Sequence, residues 1–163
     1  MSIDERLLNV NRDGVLAVPA AFWLAGLVSV RYVLFVMLTF IAAKRSDGVM
    51  SLLSGGIPWP AMLGELPVLA LLWAAGSRKP GSGRGPRWLW QHAYVLVCLT
   101  TLAHLTWALW LIVDVNIEEV RKAVVLSCFS LLDLSISWVF WRSHYYRQLF
   151  SEFPDAPSAS VSK

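Results

Sequence analysis

WLWQHAYVLVCLTTLAHLTWALWLIV, residues 88–113, holds no Asp, Glu, Lys or Arg. A helix of that length, rising about 1.5 Å per residue, more than crosses the roughly 30 Å of hydrocarbon in a bilayer. Its apolar residues run continuously instead of alternating, and lipid supplies no partner for open backbone groups, so a helix is implied over a strand. Working outward, three more runs of the same kind flank it, at about residues 16–43, 57–75 and 123–141. The fold class expected is therefore all-α: a polytopic membrane protein, a bundle of four transmembrane helices. Residues 1–15 read as a cytoplasmic tail, 16–142 as the membrane domain, and 143–163 as a largely disordered cytoplasmic tail.

Composition agrees with this reading. The 163 residues are 56% hydrophobic and 15% charged, with a mean hydropathy of +0.56, more apolar surface than a soluble domain of that size can bury. Cys98 and Cys128 both fall in apolar runs, with neither disulfide nor metal-ligand spacing, and read as small core residues. The first run is too long for the apolar region of a cleavable signal and carries Arg31 at its middle, so it reads as a retained span.

Basic residues set the expected orientation. Arg6, Arg12, Arg78, Lys79, Arg84, Arg87, Arg142, Arg147 and Lys163 fall on one side, and Lys44, Arg45, Arg121 and Lys122 on the other. Nine against four places both termini and the 78–87 loop in the cytoplasm. Eight of the nine tryptophans fall near a span end, where indole prefers to lie, and only Trp23 sits about a turn inside. Topology accounts for the basic pI near 9.1, and no nucleic-acid partner is implied. The Lys79–Arg87 stretch, with its Gly, Ser and Pro, reads as a flexible linker, and the basic cluster Arg78, Lys79, Arg84 and Arg87 reads as meeting lipid head groups. Val49–Leu53 reads as a short helix on the outer interface.

Each run carries one ionisable residue well inside it: Arg31, Glu65, His104 and Asp133. Counting along each helix puts Arg31 roughly 20 Å from the cytoplasmic edge, Glu65 roughly 12 Å below the outer edge, His104 roughly 24 Å up its span and Asp133 roughly 15 Å from either face. One group from each helix thus falls in a band from the bilayer centre into its outer half. Helical side chains lean toward their own N-terminus, which favours Arg31–Asp133 over Arg31–Glu65, although a guanidinium could fork between both. A lone charge at such depth costs about 3 kcal/mol, so these groups should face inward and pair. The band reads either as a buried latch that fixes which helix packs where, or as a proton path or polar substrate site.

Other signals are weaker. His92 and His144, both near the cytoplasmic face, could clasp a haem or a metal axially, although interfacial histidines are commonly snorkelling polar ends. The threonines at 100, 101 and 106 and the serines at 127, 130, 135 and 137 read as helix–helix glue. Gly26 belongs to no GxxxG motif, and no internal repeat supports an inverted-repeat transporter. Neither HExxH nor a nucleophile elbow is present, and the 81–85 glycine run lacks the ending of a phosphate loop, so no catalytic residue is assigned.

The opening pattern Asp13-Gly14-Val15-Leu16-Ala17-Val18-Pro19, followed by Phe22-Trp23-Leu24 and Arg31, resembles the DUF2919 family of small bacterial inner-membrane proteins of unknown function. The likeness extends to Glu65-Leu66-Pro67 and the tryptophan-rich start at Trp88, although Ala17 stands where many relatives carry a basic residue. It implies a multi-span protein of the bacterial inner membrane and brings no activity, cofactor or catalytic residue. The expected role is a non-enzymatic accessory or assembly subunit, without a cofactor, that meets lipid and a membrane-protein partner or a second copy of itself. The alternative is a small transporter or proton-coupled permease using the charge band, with a haem-binding subunit as the remote third reading.

Overall fold

The computed structural model describes residue 10 and residues 15–43, 59–113 and 120–154. Among the described residues the chain is all-helical: α1 (Ala20–Ser29), α2 (Arg31–Ala43), α3 (Trp59–Gly76), α4 (Arg84–Gln91), α5 (Ala93–Val113), α6 (Val120–Arg142) and α7 (His144–Ser151). An isolated bridge pairs Val10 with Leu16. α3 and α5 are each long and apolar enough to cross a membrane, and α1 with α2 make a third such span if the bent pair is counted as one. That composition marks a membrane protein. α6 has the length of a span, at 23 residues.

α5 is the central helix. It packs on α3 along one side and α6 along the other, while α1 and α2 lie against α3. Close approach depends on small residues at two crossings. A Cβ on Gly64 of α3 would lie 2.7 Å from the Ala103 Cβ of α5, and one on Gly26 of α1 would lie 2.5 Å from Leu72 Cδ2 of α3. Gly26 therefore serves contacts within the chain. Pro67 sits inside α3 without ending it; the bond it forfeits is tolerated inside a bundle.

The expected first span, 16–43, is not one helix. It breaks at Val30, and the two halves meet at 71°. The Ser29 hydroxyl donates back to the Ala25 carbonyl at 2.9 Å, a local competitor that bends helices, and Val30 leaves helical geometry at φ −104, ψ 30. The ladder resumes with Leu34 N–H donating to the Val30 carbonyl.

The expected third span, 88–113, is also divided. Trp88–Gln91 belong to the amphipathic α4, and α5 starts after His92. The supposed flexible linker is thereby shortened to the residues before Arg84. Gly81 turns it at a positive φ of 81°, where a side chain is disfavoured.

The largest departure lies at the C-terminal end. Residues 143–163 were expected to be largely disordered, yet α7 packs Tyr146, Leu149 and Phe150 into the core. Their i, i+3, i+4 spacing makes one apolar face. Phe22 sits among them, with ring centroids 5.8 Å from Trp90, 6.0 Å from Phe140 and 6.2 Å from Phe150. This aromatic cap closes the end of the bundle where the chain enters α1. Val49–Leu53 and residues 155–163 lie outside the described residues.

Candidate functional site

The four ionisable residues meet in the middle of the bundle. Arg31, the first residue of α2, holds Asp133 of α6 in a two-pronged ion pair, with each guanidinium nitrogen 2.8 Å from its own carboxylate oxygen. Such fork-to-fork pairing fixes geometry as well as charge. The Asp133 side chain is 2% exposed and that of Arg31 16%. Phe129 and Tyr32 place their rings 4.9 and 5.1 Å from the guanidinium carbon.

His104 of α5 completes the arrangement. Its Nδ1 lies 3.0 Å from Asp133 Oδ2 and 3.3 Å from an Arg31 nitrogen. Arginine is always a donor, so Nδ1–H is assigned as donating to the carboxylate, and the Arg31 approach is then contact rather than a hydrogen bond. Nε2 points the other way, 3.7 Å from Glu65 Oε1, and has no hydrogen-bond partner.

Glu65 is fully buried, and its partners were not foreseen. Its two oxygens accept from the backbone N–H groups of Tyr32 and Val33, each at 2.8 Å. With Val30 at the start of α2, these are the second and third helical amides, which a helix leaves open and an N-cap side chain ordinarily satisfies. Glu65 performs that office from a neighbouring helix, and the partial positive charge of the α2 N-terminus faces its carboxylate. On the other side of the break, Arg31 Nη1 donates to the Val28 carbonyl at 3.3 Å, near the end of α1. The break that removes backbone bonds is thus closed by two members of the band, one at each exposed helix end.

Charge counting follows from this geometry. Arg31 and Asp133 cancel, and Glu65 stands against a helix N-terminus worth roughly half a positive charge. Asp133 and Glu65 address opposite nitrogens of one imidazole, so the three cannot converge on a single point, and among the described residues no group of His, Cys, Asp and Glu could hold a metal ion.

The remaining candidates are placed as follows. His92 Nδ1 donates to the Trp88 carbonyl at 2.8 Å, and its ring stacks on Trp88 at 4.5 Å. His144 is exposed at the first position of α7. Cys98 and Cys128 are free thiols, and Cys128 is exposed on α6 rather than in a core.

Arg78 is no head-group ligand. It is 6% exposed, donates to the Leu16 and Glu152 carbonyls and stacks 4.9 Å from the Trp90 ring. Burial pushes its pKa below the usual guanidinium value, with the Glu152 charge opposing that shift. Arg87 likewise donates to the Pro154 carbonyl and lies over Phe153, whereas Lys79 and Arg84 stay exposed.

No family model, curated protein or solved structure matches the chain. Fold and site together define a class, a helical membrane protein with a buried, internally paired charge quartet.

Proposed function

We propose that this is a four-span protein of the bacterial inner membrane, termini in the cytoplasm, and a member of the DUF2919 family. In this reading α6 is the fourth span, with its ionisable Asp133 paired with Arg31 and hydrogen-bonded by His104. The protein acts without catalysis, as an accessory or assembly subunit that presents its outward helix faces to a membrane partner.

One observation carries this reading: the quartet turns most of its binding capacity on itself, leaving only Arg31 Nε and His104 Nε2 open. Arg31 spends both terminal nitrogens on Asp133, and Glu65 spends both oxygens on backbone amides. A substrate site keeps such groups turned toward a cavity, whereas these lock α2, α3, α5 and α6 together. Outward, α3 and α5 each bury only a third of their apolar stretch within the chain, leaving broad faces for lipid or another helix.

The test is purification of the tagged full chain in a mild detergent, with the stoichiometry of co-purifying proteins measured. A fixed-ratio membrane complex is expected. A lone protein would contradict the subunit role.

A second reading, a proton-coupled permease, draws on the broken α1–α2 span and the unpartnered His104 Nε2 beside Glu65. Broken helices with charged groups at their ends recur in transporters. In that case Glu65→Gln would abolish transport at unchanged abundance. Under the latch reading, abundance itself falls.

A further inference from the structure

A groove of about 500 Å³ runs between α5, α6 and α7, lined by Tyr94, Val95, Cys98, Leu99, Leu102, Trp141 and Arg147. It continues along α5 and α6 into a second hollow of about 280 Å³ that reaches Leu105, Leu134 and Trp138. Cys98, Leu102 and Trp141 line both, so the two form one trough.

Its walls are almost wholly apolar, but one end is not. Arg147 stands there, exposed, with one nitrogen 3.4 Å from the Trp141 carbonyl. Beside it the Tyr94 hydroxyl is buried without a hydrogen-bond partner, and the Arg147 charge acts on it. A buried hydroxyl left open costs on the order of 1–3 kcal/mol unless something accepts from it.

Length and depth identify the occupant. From Tyr94 to Leu105 the trough follows eleven residues of α5, about 16 Å, which matches one leaflet of a hydrocarbon core about 30 Å thick. Its cationic end lies where α6 gives way to α7, on the side that the basic residues assign to the cytoplasm. A partner helix would offer Tyr94 only a side chain or a carbonyl already used in its own ladder, whereas a lipid phosphate has the oxygens to accept from both Tyr94 and Arg147.

We propose that this trough binds one anionic phospholipid of the cytoplasmic leaflet, an acyl chain along α5 and α6 and the phosphate on Arg147 and Tyr94. The assignment rests on the four-span orientation above.

Trp141 supplies the reporter. The purified full chain is reconstituted in phosphatidylcholine vesicles doped with brominated phosphatidylglycerol or brominated phosphatidylcholine, and tryptophan quenching is compared. Brominated phosphatidylglycerol should be favoured about fivefold, the ratio that corresponds to about 1 kcal/mol per cationic side chain at an anionic surface. Arg147→Gln should abolish the preference, Tyr94→Phe should weaken it, and Trp141→Phe should reduce the preferential signal to the part that Trp138 contributes. None of these three changes touches the quartet.

Equal quenching by both lipids overturns the proposal, and so does a preference that survives Arg147→Gln. Protection of Trp141 from both lipids by a stoichiometric protein partner overturns it too. Labelling of a cysteine placed after Pro154 from either side of the membrane tests orientation separately. Outside labelling there would sink the cytoplasmic orientation on which the assignment rests, whatever the lipid result.

Discussion

The polar quartet and the aromatic cap hold the bundle together by opposite means, the quartet tying α2, α3, α5 and α6 and the cap α1, α4, α6 and α7. In the middle of the bundle Arg31, Glu65, His104 and Asp133 tie four helices through short directional bonds. At the end where the chain enters α1, Phe22, Trp90, Phe140 and Phe150 fill space with rings, with Leu149 packed among them. Polar groups serve the cap only where backbone is exposed: Trp90 donates to the Leu149 carbonyl at 2.8 Å, and Tyr145 to that of Ala17 at 2.6 Å. Apolar packing tolerates change gradually, because lost contacts are many and small. A buried ion pair does not, because removing one partner strands the other's charge. The quartet should therefore fail abruptly and specifically, and the cap by degrees.

Variants can break that contrast. The largest effect expected is that of Asp133→Leu, which leaves Arg31 buried opposite nothing and should cost about 3–5 kcal/mol, read as loss of folded protein in the membrane. Trp90→Ala should cost about 3 kcal/mol by leaving a cavity and an open Leu149 carbonyl, with Trp90→Phe recovering much of the thermal stability in detergent. Such partial recovery marks a packing site; no substitution at Asp133 that lacks a carboxylate should show it.

Smaller effects sharpen the comparison. Gly64→Ala pushes α3 from α5 beside His104 and should cost about 1–3 kcal/mol, measured as a lowered melting temperature. Glu65→Gln keeps one acceptor for the α2 amides but loses the charge that faces the helix N-terminus, and should cost about 1–2 kcal/mol. Lys79→Gln and Arg84→Gln, on exposed positions, should stay within about 0.5 kcal/mol. A large loss at either would mean that the loop contributes more than its exposed placement indicates.

Much of the architecture could be read from the chain, for reasons the two regions make plain. Long, predominantly apolar runs mark α3 and α5, because lipid imposes length and composition on whatever crosses it. The same logic singles out Arg31, Glu65, His104 and Asp133, since a lone charge in such a run needs a partner. What local sequence does not carry is which atoms those partners are. Nothing at Val30 announces a break, for neither Gly nor Pro stands there, and without the break Glu65 has no open amides to accept from.

The cap was obscured differently. HYYRQLF in α7 mixes charge with rings, so its composition resembles a tail even though its apolar face follows helical spacing. Reading that periodicity would have found it. Arg78 was misread as a head-group ligand because its burial depends on Leu16 and Glu152, far away in the chain.

The most direct test of the latch is a double-mutant cycle on its ion pair. Arg31→Met and Asp133→Leu are made singly and together, and the folded fraction of each is measured by unfolding in detergent. The account predicts that the double variant is more stable than either single one, because no unpaired charge is left inside the bundle. Losses that simply add would mean that Arg31 and Asp133 act independently, and would contradict the latch.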